Sequence, residues 1–276
     1  MTPIQSHIVD IQSQLKAVYP ADEAEALAWW IAEELTGLSR TQLLCDCKGT
    51  TNFPNVQEII SRLLHFEPIQ YIFGHTDWMG LDLLVTPATL IPRPETAELV
   101  ERIKVKGERL KVLDIGTGSG CIAIALKKRH PEWEVTGIDI SAEAIEVAKE
   151  NARHNGVEVD FRQADIFNHP SSIINHKYDI VVSNPPYICE SEKAAMRRNV
   201  LDYEPHTALF VPDSDPLRFY RKIVTLFSQQ SLYLFFEINE AFAAEMEQLL
   251  AENGYTDIQT HHDIYGKPRI IQGRHV

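Results

Sequence analysis

The stretch Lys111-Val112-Leu113-Asp114-Ile115-Gly116-Thr117-Gly118-Ser119-Gly120-Cys121 decides how the chain is read. Its apolar start has the pattern of a strand, three glycines follow at alternate positions, and an apolar-rich helical segment runs from Cys121 to Arg129. Glycines between a strand and a helix let the backbone approach a ligand and leave the first helical N–H groups free to point at it. A tight turn without a ligand is the alternative.

Downstream, the alternation continues. Strand patterns are expected at Lys111–Ile115, 134–138, 158–163, Tyr178–Ser183, 232–238, near 256–260 and 269–273, with helices at Cys121–Arg129, 142–155, 217–228 and 242–253. This is the βαβ signature of an α/β fold built on an open, mostly parallel sheet, and the last two strands are close enough in sequence to pair antiparallel.

Within that frame the glycine turn takes a cofactor. A dinucleotide site would want a further glycine three residues after Gly118, where Cys121 stands. Asp114 and the Gly-x-Gly-x-Gly spacing fit S-adenosylmethionine better, with Gly116, Thr117, Gly118, Ser119 and Gly120 as its binding turn. Asp139 ends the second strand, where a carboxylate can accept hydrogen bonds from both ribose hydroxyls; the alternative is an N-cap for the next helix, a role Ser141 can also fill. Asp165 and Ile166 close the third strand and are candidates to read adenine, the first through its side chain and the second through its backbone.

The fourth strand runs into Asn184-Pro185-Pro186-Tyr187. Two prolines fix φ and bias the residue before them toward extended backbone, which holds Asn184 rigidly at a strand end. A planar amide or aniline-like nitrogen is a poor nucleophile because its lone pair is delocalised. The Asn184 side-chain oxygen and the Pro185 carbonyl can accept its two N–H groups and aim it at a methyl donor, while Tyr187 supplies a flat wall. Asn184, Pro185 and Tyr187 are therefore the expected catalytic set, Asn184 also faces the donor, and Pro186 completes the substrate corner. A Pro-Pro pair as an ordinary strand stop is the alternative. The chemistry requires no metal.

The N-terminal part reads differently. Ile8, Ile11, Leu15 and Val18, then Ala24, Leu27, Ile31 and Leu35, recur at helical spacing. Gly37 closes the second helix, Ser39 can cap a third through Leu43 and Leu44, and Pro54 suits the first turn of a fourth running to about His65. Residues 68–74 leave this bundle, residues 78–85 form a hairpin or an extended linker, and Pro87, Pro92 and Pro94 stiffen the connection. A helix over 95–104 opens the second domain. The expected organisation is a helical domain over 1–70, to which a substrate-docking role is given by analogy alone, a hairpin and proline-rich linker over 71–94, and a methyltransferase domain over 95–276.

Composition bounds the partners. With 26 basic and 39 acidic residues the formal charge is −13, which argues against binding through a broad basic face on nucleic-acid phosphates. Cys45, Cys47, Cys121 and Cys189 are too scattered for a disulfide framework, and Cys45-Asp46-Cys47 lacks a second ligand pair for a metal. No secretory signal and no membrane span are read, so a cytoplasmic protein is expected.

At these residues the chain resembles the peptide chain release factor glutamine methyltransferases. The resemblance runs from about residue 67 to 274 and rests on Gln70-Tyr71-Ile72-Phe73-Gly74, Leu90-Ile91-Pro92-Arg93-Pro94-Glu95-Thr96, residues 112–125, Asn184-Pro185-Pro186-Tyr187-Ile188, Tyr203-Glu204-Pro205 with Ala208-Leu209, and Phe236-Glu237-Ile238. The linker motif discriminates most, because the catalytic turn also occurs in adenine methyltransferases of DNA. The resemblance implies a class I, Rossmann-like methyltransferase with a seven-stranded sheet whose last strand is antiparallel. It also implies a monomer that acts on the glutamine of the Gly-Gly-Gln motif in class 1 release factors, with S-adenosylhomocysteine as product and no direct nucleic-acid partner. Departures from the family pattern are Asp77 before Trp78, Asn239 in place of a glycine, and Asp213-Ser214-Asp215-Pro216 in place of a glycine-containing loop. Two other readings compete: methylation of adenine in DNA, which calls for base flipping and phosphate contacts, and a binding protein that keeps the fold without turnover.

Overall fold

A computed structural model describes residues 2–45, 50–51, 53–168, 173 and 176–275. Asp46 and Cys47 lie outside the described residues. The chain divides into two compact units: Met1–Phe73 with Arg198–Tyr203, and Gly74–Arg197 with Glu204–Val276.

The smaller unit packs the helices Ile4–Leu15, Ala21–Thr36, Arg40–Cys45, Val56–Leu64 and Ile69–Phe73. Apolar residues at helical spacing, among them Ile8, Ile11, Leu15, Ile31, Leu43, Ile60 and Leu63, meet in one core. Two local expectations fail here. The fourth helix starts at Val56, after Asn55 takes a left-handed φ of 57°, so Pro54 precedes it. Residues 69–73 form a further helix of this unit, because Ile69 belongs to its buried core. The short helix Arg198–Leu201 joins the same unit: the Arg198 guanidinium lies 4.5 Å over the Phe66 ring, and the Tyr203 hydroxyl donates to the His65 carbonyl at 3.0 Å.

The larger unit is built on one seven-stranded sheet: β1 Lys111–Ile115, β2 Glu134–Asp139, β3 Asp160–Gln163, β4 Tyr178–Ser183, β5 Ser231–Glu237, β6 Tyr255–His262 and β7 Pro268–His275. Their spatial order is β6-β7-β5-β4-β1-β2-β3, with β7 antiparallel to both of its neighbours and every other pairing parallel. The expected α/β class, mostly parallel sheet and antiparallel last strand are all present. Ile180, Val181 and Val182 of β4 are fully buried, as a central strand covered on both faces requires.

Strand order reverses between β1 and β4, and this is where open α/β sheets leave a crevice. Ile115 pairs in register with Ser183, and the Ser183 hydroxyl donates to the Ile115 carbonyl at 2.6 Å. The glycine turn and the Asn-Pro-Pro-Tyr corner therefore leave adjacent strands at the same level.

Before the sheet, His75–Trp78 and Leu81–Leu84 form a hairpin whose two-residue turn, Met79-Gly80, has positive φ at both positions. Asp77 and Asp82 stand opposite each other across it, and Asp82 is compensated by His75 at 3.2 Å and His154 at 2.9 Å. The fully buried Asn151 ties this hairpin to the glycine turn: its Oδ1 accepts from the Leu84 N–H, and its Nδ2 donates to the carbonyls of Leu84 and Ser119.

Candidate active site

The glycine turn is shaped by backbone conformations and close packing that side chains resist. Gly116, Gly118 and Gly120 all have positive φ. At Gly120 a Cβ would stand 2.9 Å from the Phe161 ring, and at Gly137 one would stand 2.5 Å from the same ring. Phe161 of β3 therefore fills the space that both glycines leave free.

A cavity of about 550 Å³ opens at the switch point. Gly116, Thr117, Gly118, Ser119, Asp139, Asp165, Ile166, Asn184, Pro185 and Pro186 line it, so most of the expected site residues are brought together. Gly120 and Tyr187 do not line it. Gly120 serves the packing under the turn, and Tyr187 is turned toward a buried carboxylate, described below.

Asp139 has two jobs visible in the fold. Its Oδ2 accepts from the Gly118 N–H at 2.9 Å and its Oδ1 from the Ser141 N–H at 2.9 Å, so one side chain joins the glycine turn to the start of the helix Ala142–His154. Ser141 is the N-cap of that helix, accepting from the Ala144 N–H at 3.1 Å. Each carboxylate oxygen of Asp139 retains a second lone pair for a ligand. Asp165 accepts from the Phe167 N–H at 2.8 Å and from the Asn168 side chain at 2.6 Å, which makes it the cap of a single 3₁₀ turn at the cavity wall. The adjoining wall carries Phe167 and Phe219 in edge contact, with the Arg218 guanidinium over both rings.

The residues fit S-adenosylmethionine on one point beyond shape. Ser119 Oγ is buried and lines the cavity, and among the described residues only the weakly bonding Cys121 thiol meets it; a buried hydroxyl so poorly paired is costly unless a ligand meets it. Behind the turn, Asp114 is fully buried, accepts from the Thr117 hydroxyl at 2.6 Å on Oδ2, and is otherwise met among the described residues only by the Ala123 backbone N–H.

Burial pushes the Asp114 carboxyl up to about 7, although the Thr117 hydrogen bond works against the shift. Burial also raises Asp139, Glu204 and Glu237. A folded state that holds a proton more tightly than the unfolded chain is favoured by acid. The Asp114 contribution is thus complete below the unfolded carboxyl value of about 4 and lost as pH rises through about 7. Urea titrations are expected to show lower stability at pH 8 than at pH 5, with a smaller difference in Asp114→Asn; an equal difference in both chains would remove Asp114 as a source.

Sequence reasoning gave no role to the groups behind the catalytic corner. Glu237, at the end of β5, is buried and accepts from the Thr96 hydroxyl at 2.7 Å and the Tyr187 hydroxyl at 2.9 Å. Thr96 in turn accepts from Asn184 Nδ2 at 3.0 Å. The signal available was an acidic residue closing the otherwise apolar run Leu234-Phe235-Phe236. Nearby, the Arg93 guanidinium donates to the buried Glu204 at 2.5 Å, and Glu204 also accepts from the Ile91 N–H at 3.2 Å, so the linker motif is pinned beside the cavity that Arg93 lines.

Two of the family departures make specific contacts. Asn239 Nδ2 donates to the Tyr187 carbonyl at 3.2 Å and to Glu192, while its Oδ1 accepts from the Ala241 N–H. Asp213 accepts from the N–H and hydroxyl of Ser191 at 3.0 and 2.7 Å. The segment following the corner, Glu190–Ala195, is thereby held from two sides.

Comparison with known proteins gives the family of the chain. Residues 106–270 match a family model described as a methyltransferase domain, and residues 8–74 match one described as the PrmC N-terminal domain. The chain is 43% identical to a release factor glutamine methyltransferase of Bacteroides thetaiotaomicron, over 95% of this chain and 96% of that one. It is 38% identical to the protein of the same name from Flavobacterium psychrophilum, over 98% of each. A methyltransferase from Pyrococcus furiosus, 16% identical, shares the fold at a TM-score of 0.53 over 80% of this chain and all of that one.

Proposed function

Since this chain belongs to the release factor glutamine methyltransferase family, we propose that it transfers a methyl group from S-adenosylmethionine to the side-chain amide nitrogen of the glutamine in the Gly-Gly-Gln motif of class 1 peptide chain release factors. The modification would tune translation termination. The observation that carries this reading is the register of β1 and β4, which sets the cofactor turn and the Asn184 corner side by side at one cavity.

In this reading Gly116, Thr117, Gly118 and Ser119 hold the amino-acid end of the cofactor, Asp139 its ribose, and Asp165 with the Ile166 backbone its adenine. When bound, its sulfonium supplies an electrophilic methyl group. Asn184 Oδ1 and the Pro185 carbonyl accept the two N–H groups of the target amide and draw its nitrogen lone pair out of conjugation. Neither oxygen is a base; the two act by orientation and by hydrogen bonding to developing positive charge on the nitrogen, and once the N–C bond has formed and the C–S bond has broken, the strongly acidic N-protonated amide would give its surplus proton to water. The Tyr187 ring would pack on the target amide, its hydroxyl held by Glu237. Residues 1–70 dock the factor, with S-adenosylhomocysteine as the second product.

The deciding experiment incubates the protein with labelled S-adenosylmethionine and, in parallel, a purified class 1 release factor or duplex DNA. A single methyl group on the Gly-Gly-Gln glutamine by mass spectrometry is expected, and label in adenine instead would overturn the substrate assignment. Deuterium exchange on the full chain tests docking: adding the factor should protect amides within residues 1–70, and unchanged exchange there would refute that role. Truncation is a poor substitute, because Arg198–Tyr203 would lose its partners.

A further inference from the structure

Asn184 can serve as an acceptor only if its amide is turned the right way round, and a side-chain amide is symmetric enough in shape to sit either way. The groups behind it decide the matter. Thr96 has one hydroxyl proton, and the oxygen that carries it lies 2.7 Å from Glu237 Oε2. Burial raises the Glu237 carboxyl, but its two hydroxyl donors, Thr96 on Oε2 and Tyr187 on Oε1, favour the ionised form, which accepts and cannot donate. With Glu237 ionised the Thr96 proton is spent on it, and the Thr96 oxygen has only lone pairs left for Asn184. The Asn184 atom 3.0 Å away must therefore be the nitrogen, which leaves Oδ1 as its free end.

The same carboxylate holds the other end of the corner. Its Oε1 accepts from the Tyr187 hydroxyl at 2.9 Å, and its backbone carbonyl accepts from the Tyr220 hydroxyl at 2.8 Å. Thr96 and Glu237 are both nearly fully buried, at 3% and 1% exposure, so water does not compete for these bonds. Tyr220 is itself buried and packs edge-on to Phe236, which fixes the strand end that carries Glu237.

We propose that Thr96 and Glu237 are positioning residues that set the polarity of the Asn184 amide, so that the corner presents an acceptor and selects a target that brings N–H groups. The relay deepens the functional reading above and rests on it for the identity of the target. Its physical content is independent of that target: a buried acceptor orders a hydroxyl, the hydroxyl orders an amide, and the amide's oxygen faces the cavity. A glutamine side chain satisfies such an oxygen, and a glutamate at the same place offers only acceptors.

Thr96→Val keeps the shape and removes the hydroxyl, and Thr96→Ser keeps the hydroxyl. With the release factor as substrate, turnover by Thr96→Val should fall roughly 10- to 100-fold with cofactor affinity unchanged, and Thr96→Ser should recover most of it. Side-chain amide NMR of the protein alone gives the second readout. The Asn184 Nδ2 protons should exchange slowly and show a bonded shift in wild type and Thr96→Ser, and lose both in Thr96→Val. Unchanged turnover in Thr96→Val, or Asn184 amide protons in wild type that exchange like an exposed side chain, would overturn the relay. The wild-type spectrum decides even if Thr96→Val does not fold. If the wild-type chain fails to methylate the factor while the NMR signature is present, the substrate reading falls and the relay stands.

Discussion

An Asn184→Ala chain should lose methyl transfer by on the order of a thousandfold or more while binding S-adenosylmethionine within about threefold of wild type. Asn184 leaves β4 at the level where β1 gives way to the glycine turn, and the cofactor contacts proposed for Gly116 to Ser119 and Asp139 belong to that separate turn. Alanine would remove the oriented oxygen and leave the Thr96 hydroxyl without its donor, but it would leave the turn untouched. Single-turnover kinetics with labelled donor, together with calorimetric titration of the cofactor, separates the two effects. Transfer at a near wild-type rate would eliminate Asn184 as the acceptor; a large loss of cofactor affinity would place it in binding instead.

Asp139→Ala should act on the other half of the cycle. The side chain holds the Gly118 and Ser141 N–H groups, one on each oxygen, so its removal loosens the glycine turn and the start of the following helix in addition to any ribose contacts. Hydrogen bonds to a charged group are worth about 1.5–3 kcal/mol each, and loss of the ribose pair corresponds to an affinity decrease on the order of 100-fold or more. Calorimetry should show this decrease, with Asp139→Asn intermediate because it retains one acceptor oxygen. Unchanged affinity in Asp139→Ala would overturn the ribose assignment. The rate of transfer at saturating cofactor should change far less than in Asn184→Ala, which distinguishes the two residues by role.

The sheet was legible because its signals are local and repeat. Six of the seven strands begin within one residue of where the apolar runs put them, and the glycine turn announces the strand and helix on either side of it. β3 begins at Asp160, two residues later than its apolar pattern suggests, since Val157 and Val159 pack against the core without joining the ladder. The helix at 69–73 was hidden because a proline and a glycine bracket it, and such punctuation reads as a loop; only its contacts with a core formed far back in the chain reveal it. Arg198–Tyr203 is more opaque still, as no local pattern says that six residues beyond the catalytic corner belong with the N-terminal helices. In the candidate site, most of the cavity-lining residues of the two loops were readable, while Gly120 and Tyr187, expected with them, do not line the cavity. The relay was not, because Thr96 and Glu237 stand 141 positions apart and only the fold brings them together.

Phe161 couples its own position to Gly137. Its ring occupies the volume that side chains would take at Gly120 and Gly137, but Gly120 is fixed independently by its φ of 82° and by Ala148 and Ile124 at 3.1 Å. A methyl group gained at 137 has to be answered by a smaller residue at 161 and by a shift of the Thr117 hydroxyl 2.8 Å away. Alignments of relatives should therefore record correlated replacement at 137 and 161 even though Phe161 never touches the chemistry.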